Sequence, residues 1–143
     1  MALTPINIEV DIDEIVENET QPVEIAPSKT WSIDLENGRI GGFVNGEEAI
    51  RQYIRKALMT ARNRYLIYDD TYGEEIRDLI GQNLTQQLTD VEIPRLVREA
   101  IEYDDRISSV SSVEVSRLNS DSILIAVTVE TVEGLFITEE VAI

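Results

Sequence analysis

The hydrophobic period of this chain switches from helical to two at Asp104-Asp105-Arg106, and that switch sets its class. Upstream, apolar residues recur at helical spacing: Ile50, Tyr53, Ile54, Ala57, Leu58 and Ala61 form one stripe, and Ile93, Leu96, Val97, Ala100 and Ile101 another. Downstream the period is two, through Val110, Val113 and Val115, then the β-prone run from Ile123 to Val132, then Leu135-Phe136-Ile137. Asn119-Ser120-Asp121-Ser122 and Glu133-Gly134 supply the turns between them. Residues 30–44 read as a hairpin ahead of the helices: Trp31, Ile33 and Leu35 alternate with polar neighbours, Asn37-Gly38 suits a type I′ turn, and Ile40, Phe43 and Val44 return. The order predicts an α+β fold with segregated strands: an N-terminal β-hairpin, three helices and a C-terminal antiparallel three-stranded meander.

Capping residues locate the helices. Asn45 offers a side-chain cap to the first, with Glu48 in the capping-box position. Asp69-Asp70-Thr71 are cap candidates for a second helix from Tyr72 to Ile80, stopped at Gly81. Thr89-Asp90-Val91-Glu92 reads as a capping box opening the third, which places Pro94 in the first turn, where proline is tolerated.

A chain of 143 residues suggests one domain. That domain is expected over residues 30–143, with residues 1–29 as an acidic arm. Residues 1–30 hold seven acids against Lys29 alone, together with Pro5, Pro22 and Pro27. Ile6, Ile8, Val10 and Ile12 nevertheless alternate with polar residues, so two readings stand: a strand that orders on pairing with a partner, or a solvated leader.

Charge narrows the function. Twenty-eight acids against twelve bases give a net charge of −16, a field that repels nucleic acid and anionic membranes. With no cysteine and no histidine, thiolate chemistry, disulfides, the usual general base and the commonest zinc ligand are excluded. No basic and apolar leader opens the sequence, and no apolar run approaches the ~20 residues of a membrane span, so synthesis and residence in a cytoplasm-like compartment are expected. Residues 31–65 are the exception to the acidity, with six basic side chains against four acidic. Arg51, Arg55, Lys56, Arg62 and Arg64 read either as internal partners of the acidic remainder or as a docking face for an acidic protein.

Catalytic patterns are weak. The acidic doublets Glu47-Glu48, Asp69-Asp70, Glu74-Glu75, Asp104-Asp105 and Glu139-Glu140 call for the test of a glycosidase pair, yet several fall in first helical turns, where carboxylates suit the helix dipole. Asp11-Ile12-Asp13-Glu14 lacks the glycine and distal glutamate of a calcium loop, and Gly38-Arg39-Ile40-Gly41-Gly42 lacks the ending of a phosphate-binding loop. A serine nucleophile would need Lys29 or Lys56 as its base, and nothing in the sequence places either. No cofactor is expected, and no catalytic or metal-binding residue is assigned. The strand around Leu135, Phe136 and Ile137 has two readings: it completes its own sheet, or it lies at an edge and accepts a strand from another chain.

The residues also resemble a known family. Trp31-Ser32-Ile33-Asp34 precedes Gly38-Arg39-Ile40-Gly41-Gly42-Phe43-Val44-Asn45-Gly46-Glu47-Glu48-Ala49-Ile50, and Leu58-Met59-Thr60-Ala61-Arg62, Tyr65-Leu66-Ile67-Tyr68, Tyr72-Gly73-Glu74-Glu75 and Asp104-Asp105-Arg106-Ile107 follow in order. Over roughly residues 28–143 the chain resembles the XkdS-like baseplate proteins of contractile phage tails and phage-derived particles, within a wider baseplate-wedge family often labelled lysozyme-like. Asp105 stands where that wider family has a proline, and the acidic arm matches no motif.

The resemblance implies a structural protein, present in several copies around the tail tube of a six-fold baseplate. It would bind the larger wedge protein, with tube and sheath proteins as further partners, and present strands from which the sheath starts. It also marks Gly38, Gly41, Gly46, Glu48, Tyr72, Gly73, Asp104 and Arg106 as motif residues. Arg51, Arg55, Arg62, Leu135, Phe136 and Ile137 are the candidate interface. A peptidoglycan-cleaving hydrolase and a tail-assembly chaperone are the alternatives.

Overall fold

The computed structural model describes residues 28–82 and 84–143, so the expected acidic arm lies outside the described residues up to position 27. The elements run β1 (Thr30–Asp34), β2 (Arg39–Val44), α1 (Gly46–Met59), α2 (Ile76–Ile80), α3 (Gln86–Ile101), β3 (Ile107–Arg117), β4 (Ile123–Thr131) and β5 (Phe136–Ala142). This is the predicted α+β order of hairpin, helices and meander.

β1 and β2 form a separate two-stranded sheet, while β4 is the centre of an antiparallel sheet ordered β3-β4-β5. Its alternation is complete: Ile123, Ile125, Val127 and Val129 are buried, while Leu124, Ala126, Thr128 and Glu130 on the opposite face are half-buried. Helices cover the first face, α1 packing along β5 and α3 along β3. Ile54 and Leu58 of α1, Ile76 of α2 and Ile93, Val97 and Ile101 of α3 meet the sheet in one core. Each such side chain contributes about 1.5–3 kcal/mol by leaving water. Among the described residues, no helix is long and apolar enough to cross a membrane.

Four local expectations are corrected. Asp34 pairs with Arg39, so the hairpin closes through Leu35–Gly38 and not through a two-residue turn. The Asp34 carboxylate is the reason: it accepts from the N–H groups of Glu36 and Asn37, both at 3.1 Å, and from the Asn37 side chain at 2.7 Å. Those bonds, the one from the Asn37 side chain foremost, hold this carboxyl below its ordinary pKa. At α1, Asn45 is the cap as expected, accepting from the Gly46 N–H at 2.8 Å, but the second member of the cap is Ser28 and not Glu48. The Ser28 hydroxyl accepts from the same N–H and donates to the Asn45 side chain, both at 2.8 Å, while Glu48 stays exposed.

α2 begins at Ile76 and not at Tyr72, because the chain upstream is extended: Ala61 and Glu74 form a parallel bridge. Asp69 closes only its own turn, accepting from the N–H groups of Thr71 at 3.0 Å and Tyr72 at 3.1 Å. α3 begins a turn earlier than expected, capped by Thr85, whose hydroxyl accepts from the Leu88 N–H at 3.4 Å. Thr89 is therefore inside the helix, and Pro94 sits in its interior instead of its first turn. Thr85 and Thr89 carry the same capping chemistry one turn apart, and tertiary packing selects the earlier one.

Candidate functional site

Among the described residues β3 and β5 are both edges of the three-stranded sheet, and the outer side of β5 is the one flanked by α1 and the hairpin. Ile123 and Ile143 exchange both backbone bonds at 2.9 Å, and the register then makes Ile125/Val141, Val127/Glu139 and Val129/Ile137 the hydrogen-bonded pairs. The N–H and C=O groups of Phe136, Thr138, Glu140 and Ala142 consequently point away from β4. Among the described residues no strand pairs with them. A groove of about 600 Å³ runs beside this edge, walled by Ile33, Asp34, Leu35 and Glu36 of the hairpin and floored by Arg55 and Met59 of α1. The hairpin is fixed there by Gln52, whose amide copies a strand's bonding pattern: it donates to the Trp31 carbonyl and accepts from the Ile33 N–H, both at 2.8 Å.

Arg51 and Arg55 reach this edge from α1. The Arg51 guanidinium donates to the outward carbonyl of Thr138 and pairs with Glu47 at 2.6 Å and Glu139 at 3.2 Å. Arg55 pairs with the other oxygen of Glu139. Glu139 is 7% exposed, a buried carboxylate held between two guanidinium groups. The basic segment thus serves mainly as internal partner to the acids. Arg62 completes the pattern and is corrected as an interface residue: its side chain is 8% exposed and paired with Glu99 at 2.9 Å. It also donates twice to the Gly73 carbonyl, at 3.0 and 3.2 Å.

Those bonds close the neck of a loop spanning residues 60–75. The Arg62 N–H donates to the Glu74 carbonyl at 2.9 Å and the Glu74 N–H to the Thr60 carbonyl at 2.8 Å. Gly73 sits at φ +102°, where a Cβ would lie 2.5 Å from the Thr60 oxygen. Glu74 is buried, and its carboxylate accepts from the Ile76 and Arg77 N–H groups at the start of α2. Burial pushes its pKa up. Tyr72 stacks on Tyr68 at 4.5 Å, and burial pushes its phenol up to about 12. The tip of the loop is apolar and projects into solvent: Tyr65 is half-exposed, while Leu66 and Ile67 are almost fully exposed.

Three further motif residues, Gly46, Asp104 and Arg106, lie at the helix–sheet junction. Arg106, between α3 and β3, forks onto Asp104. Arg106, Gly46 and the buried Ile137 line one cavity of about 270 Å³ with Leu135. The Ile137 side chain is fully buried in the core, whereas Leu135 and Phe136 are exposed. Gly38 lies in the hairpin loop and Gly41 in β2 against Ser32. Sequence reasoning missed Gln52, Glu74 and Glu139. All three look like surface polar residues in one dimension, and only the chain's closure buries or bonds them.

A two-layer scaffold with a grooved sheet edge, unpaired among the described residues, suits a structural protein. A family model described as contractile injection system sheath initiator matches residues 28–134, and the chain belongs to that family. It is also similar to the phage-like element PBSX protein XkdS of Bacillus subtilis (strain 168), with 43% identity over 143 residues, 99% of this chain and 96% of that protein. Its role is structural, in starting the sheath of a contractile tail.

Proposed function

We propose that this protein is a baseplate component that joins the wedge to the tail tube and starts the sheath by strand addition at β5. The observation that carries the mechanism is the outward set of backbone groups at Phe136, Thr138, Glu140 and Ala142, beside a groove of about 600 Å³. Main-chain bonds supply affinity in such a contact, and the alternating side chains of β5 set register. Phe136 and Leu135 extend the same surface. The projecting tip at Leu66 and Ile67 is the anchor for the larger wedge protein, because large apolar side chains held on a closed neck bind with little ordering cost. Copies arranged around a six-fold tube would present identical edges to identical sheath subunits.

Of the four carboxylates lining the same groove, two are unsuited to glycosidase chemistry. A general acid needs a raised pKa. Asp34 is lowered instead, and Glu139 is engaged by Arg51 and Arg55.

The test is complementation of a gene deletion in the producing strain, read by negative-stain electron microscopy of induced lysates. Glu140→Pro removes an outward N–H while leaving the β4–β5 ladder intact, since proline is tolerated where the N–H faces away from the sheet. Wild-type complementation should give sheathed tails, and Glu140→Pro should give bare tubes or stray polysheath. Normal tails with Glu140→Pro would refute strand addition at this edge.

A further inference from the structure

The β5 edge is not uniformly open. Of its outward groups, the Thr138 carbonyl is already occupied, by a guanidinium N–H of Arg51. A free sheet edge invites unwanted pairing with any extended chain, and proteins commonly block one with a charged side chain. We propose that Arg51 is a removable plug on β5: it covers the central acceptor of the edge in the free protein and swings aside when the sheath strand arrives. The proposal rests on the strand-addition reading above and adds its regulation.

The surroundings of Arg51 make it displaceable. An incoming backbone N–H must take over the Thr138 carbonyl, so Arg51 loses that bond. The Glu139 contact at 3.2 Å comes from the same nitrogen as the carbonyl bond and is given up with it, while Glu47, at 2.6 Å on the other terminal nitrogen, helps to hold the guanidinium in the plugged position. Glu139 does not become a lone buried charge, since Arg55 remains on its other oxygen. The Arg51 side chain is 34% exposed, which leaves it room to rotate towards solvent. Displacement therefore costs one charge-assisted hydrogen bond to the carbonyl and a longer one to Glu139, enough to discourage adventitious strands and little beside a full ladder of new main-chain bonds. Arg55, by contrast, bonds no backbone group of β5 among the described residues and serves as the fixed partner of Glu139.

The experiment measures binding of purified sheath subunit, below its own polymerisation concentration, to immobilised full-length protein. Arg51→Met keeps the aliphatic stem and removes the plug, so it should bind about tenfold tighter than wild type. Glu47→Gln, at an exposed site, loosens the hold on Arg51 in the plugged position and should shift binding in the same direction by less. Glu140→Pro should abolish binding. Arg51→Met or Glu47→Gln binding no tighter than wild type, with Glu140→Pro still inactive, would overturn the plug and leave strand addition standing. Glu140→Pro binding like wild type would overturn strand addition, and the plug with it. Thermal melts show whether each variant is folded; should Arg51→Met fail to fold, Glu47→Gln alone decides.

Discussion

Arg106 grips the Asp104 carboxylate with both ends of its fork, Nε to one oxygen at 2.8 Å and Nη2 to the other at 2.7 Å, and adds its own backbone N–H at 2.9 Å. The guanidinium also lies 5.5 Å from the centre of the Tyr53 ring on α1. The pair therefore ties the α3–β3 junction to the helix that lines the β5 edge. Arg106→Lys keeps the charge but loses the planar fork and its stacking. It should destabilise the protein by about 1–2 kcal/mol in urea unfolding, and a double-mutant cycle with Asp104→Asn should show the two losses to be coupled.

The same pair sets an acid dependence. Burial alone would raise the Asp104 carboxyl, but the side-chain and backbone bonds from Arg106 outweigh it and hold the group below its ordinary value. Between the lowered folded value and the unfolded value near pH ~4, the unfolded chain binds more protons. The stabilisation is thus complete above the unfolded value and lost as pH falls through the folded one. Asp104→Asn should be less stable than wild type at pH 7, with the gap closing on acidification. A gap that stays constant from neutral pH to pH ~2.5 would contradict this linkage.

Gly73→Ala places a methyl group against backbone, not against a side chain that could rotate, and in a left-handed conformation that alanine resists. The substitution should cost at least about 2 kcal/mol and lower Tm by roughly 6–10 °C. Differential scanning calorimetry checks it.

Leu66→Ser with Ile67→Ser should do the opposite, since side chains this exposed add little to the fold. Tm should stay within about 2 °C of wild type. Co-purification with the wedge protein should be lost, because the apolar anchor is gone.

The parts of the fold legible in sequence are those governed by periodicity. The stripe Ile50, Ile54, Ala57, Leu58 and the alternation Ile123, Ile125, Val127, Val129 both follow from burial of one face, and both are in the core. Boundaries set by one polar group choosing among equivalent partners were not legible. Asp34 reorganises the hairpin loop, Ser28 takes the place expected of Glu48, and Thr85 caps in place of Thr89. Arg62 shows the same limit for function: its spacing suits a basic surface, yet the closed neck at Gly73 and Glu74 buries it. The candidate edge is intermediate. β5 is legible as a strand from Phe136 and Ile137 onward, but that its outer side is unpaired among the described residues depends on sheet order, which no local pattern encodes.

The most direct test of strand addition is a cryo-electron microscopy map of the intact tail at a resolution that separates strands. The account predicts a sheath segment lying about 4.8 Å from β5 and antiparallel or parallel to it, bonded to the outward groups of Phe136, Thr138, Glu140 and Ala142, with Arg51 turned away from the Thr138 carbonyl. An edge left bare, or covered by side chains of the tube or wedge without a paired strand, would contradict it.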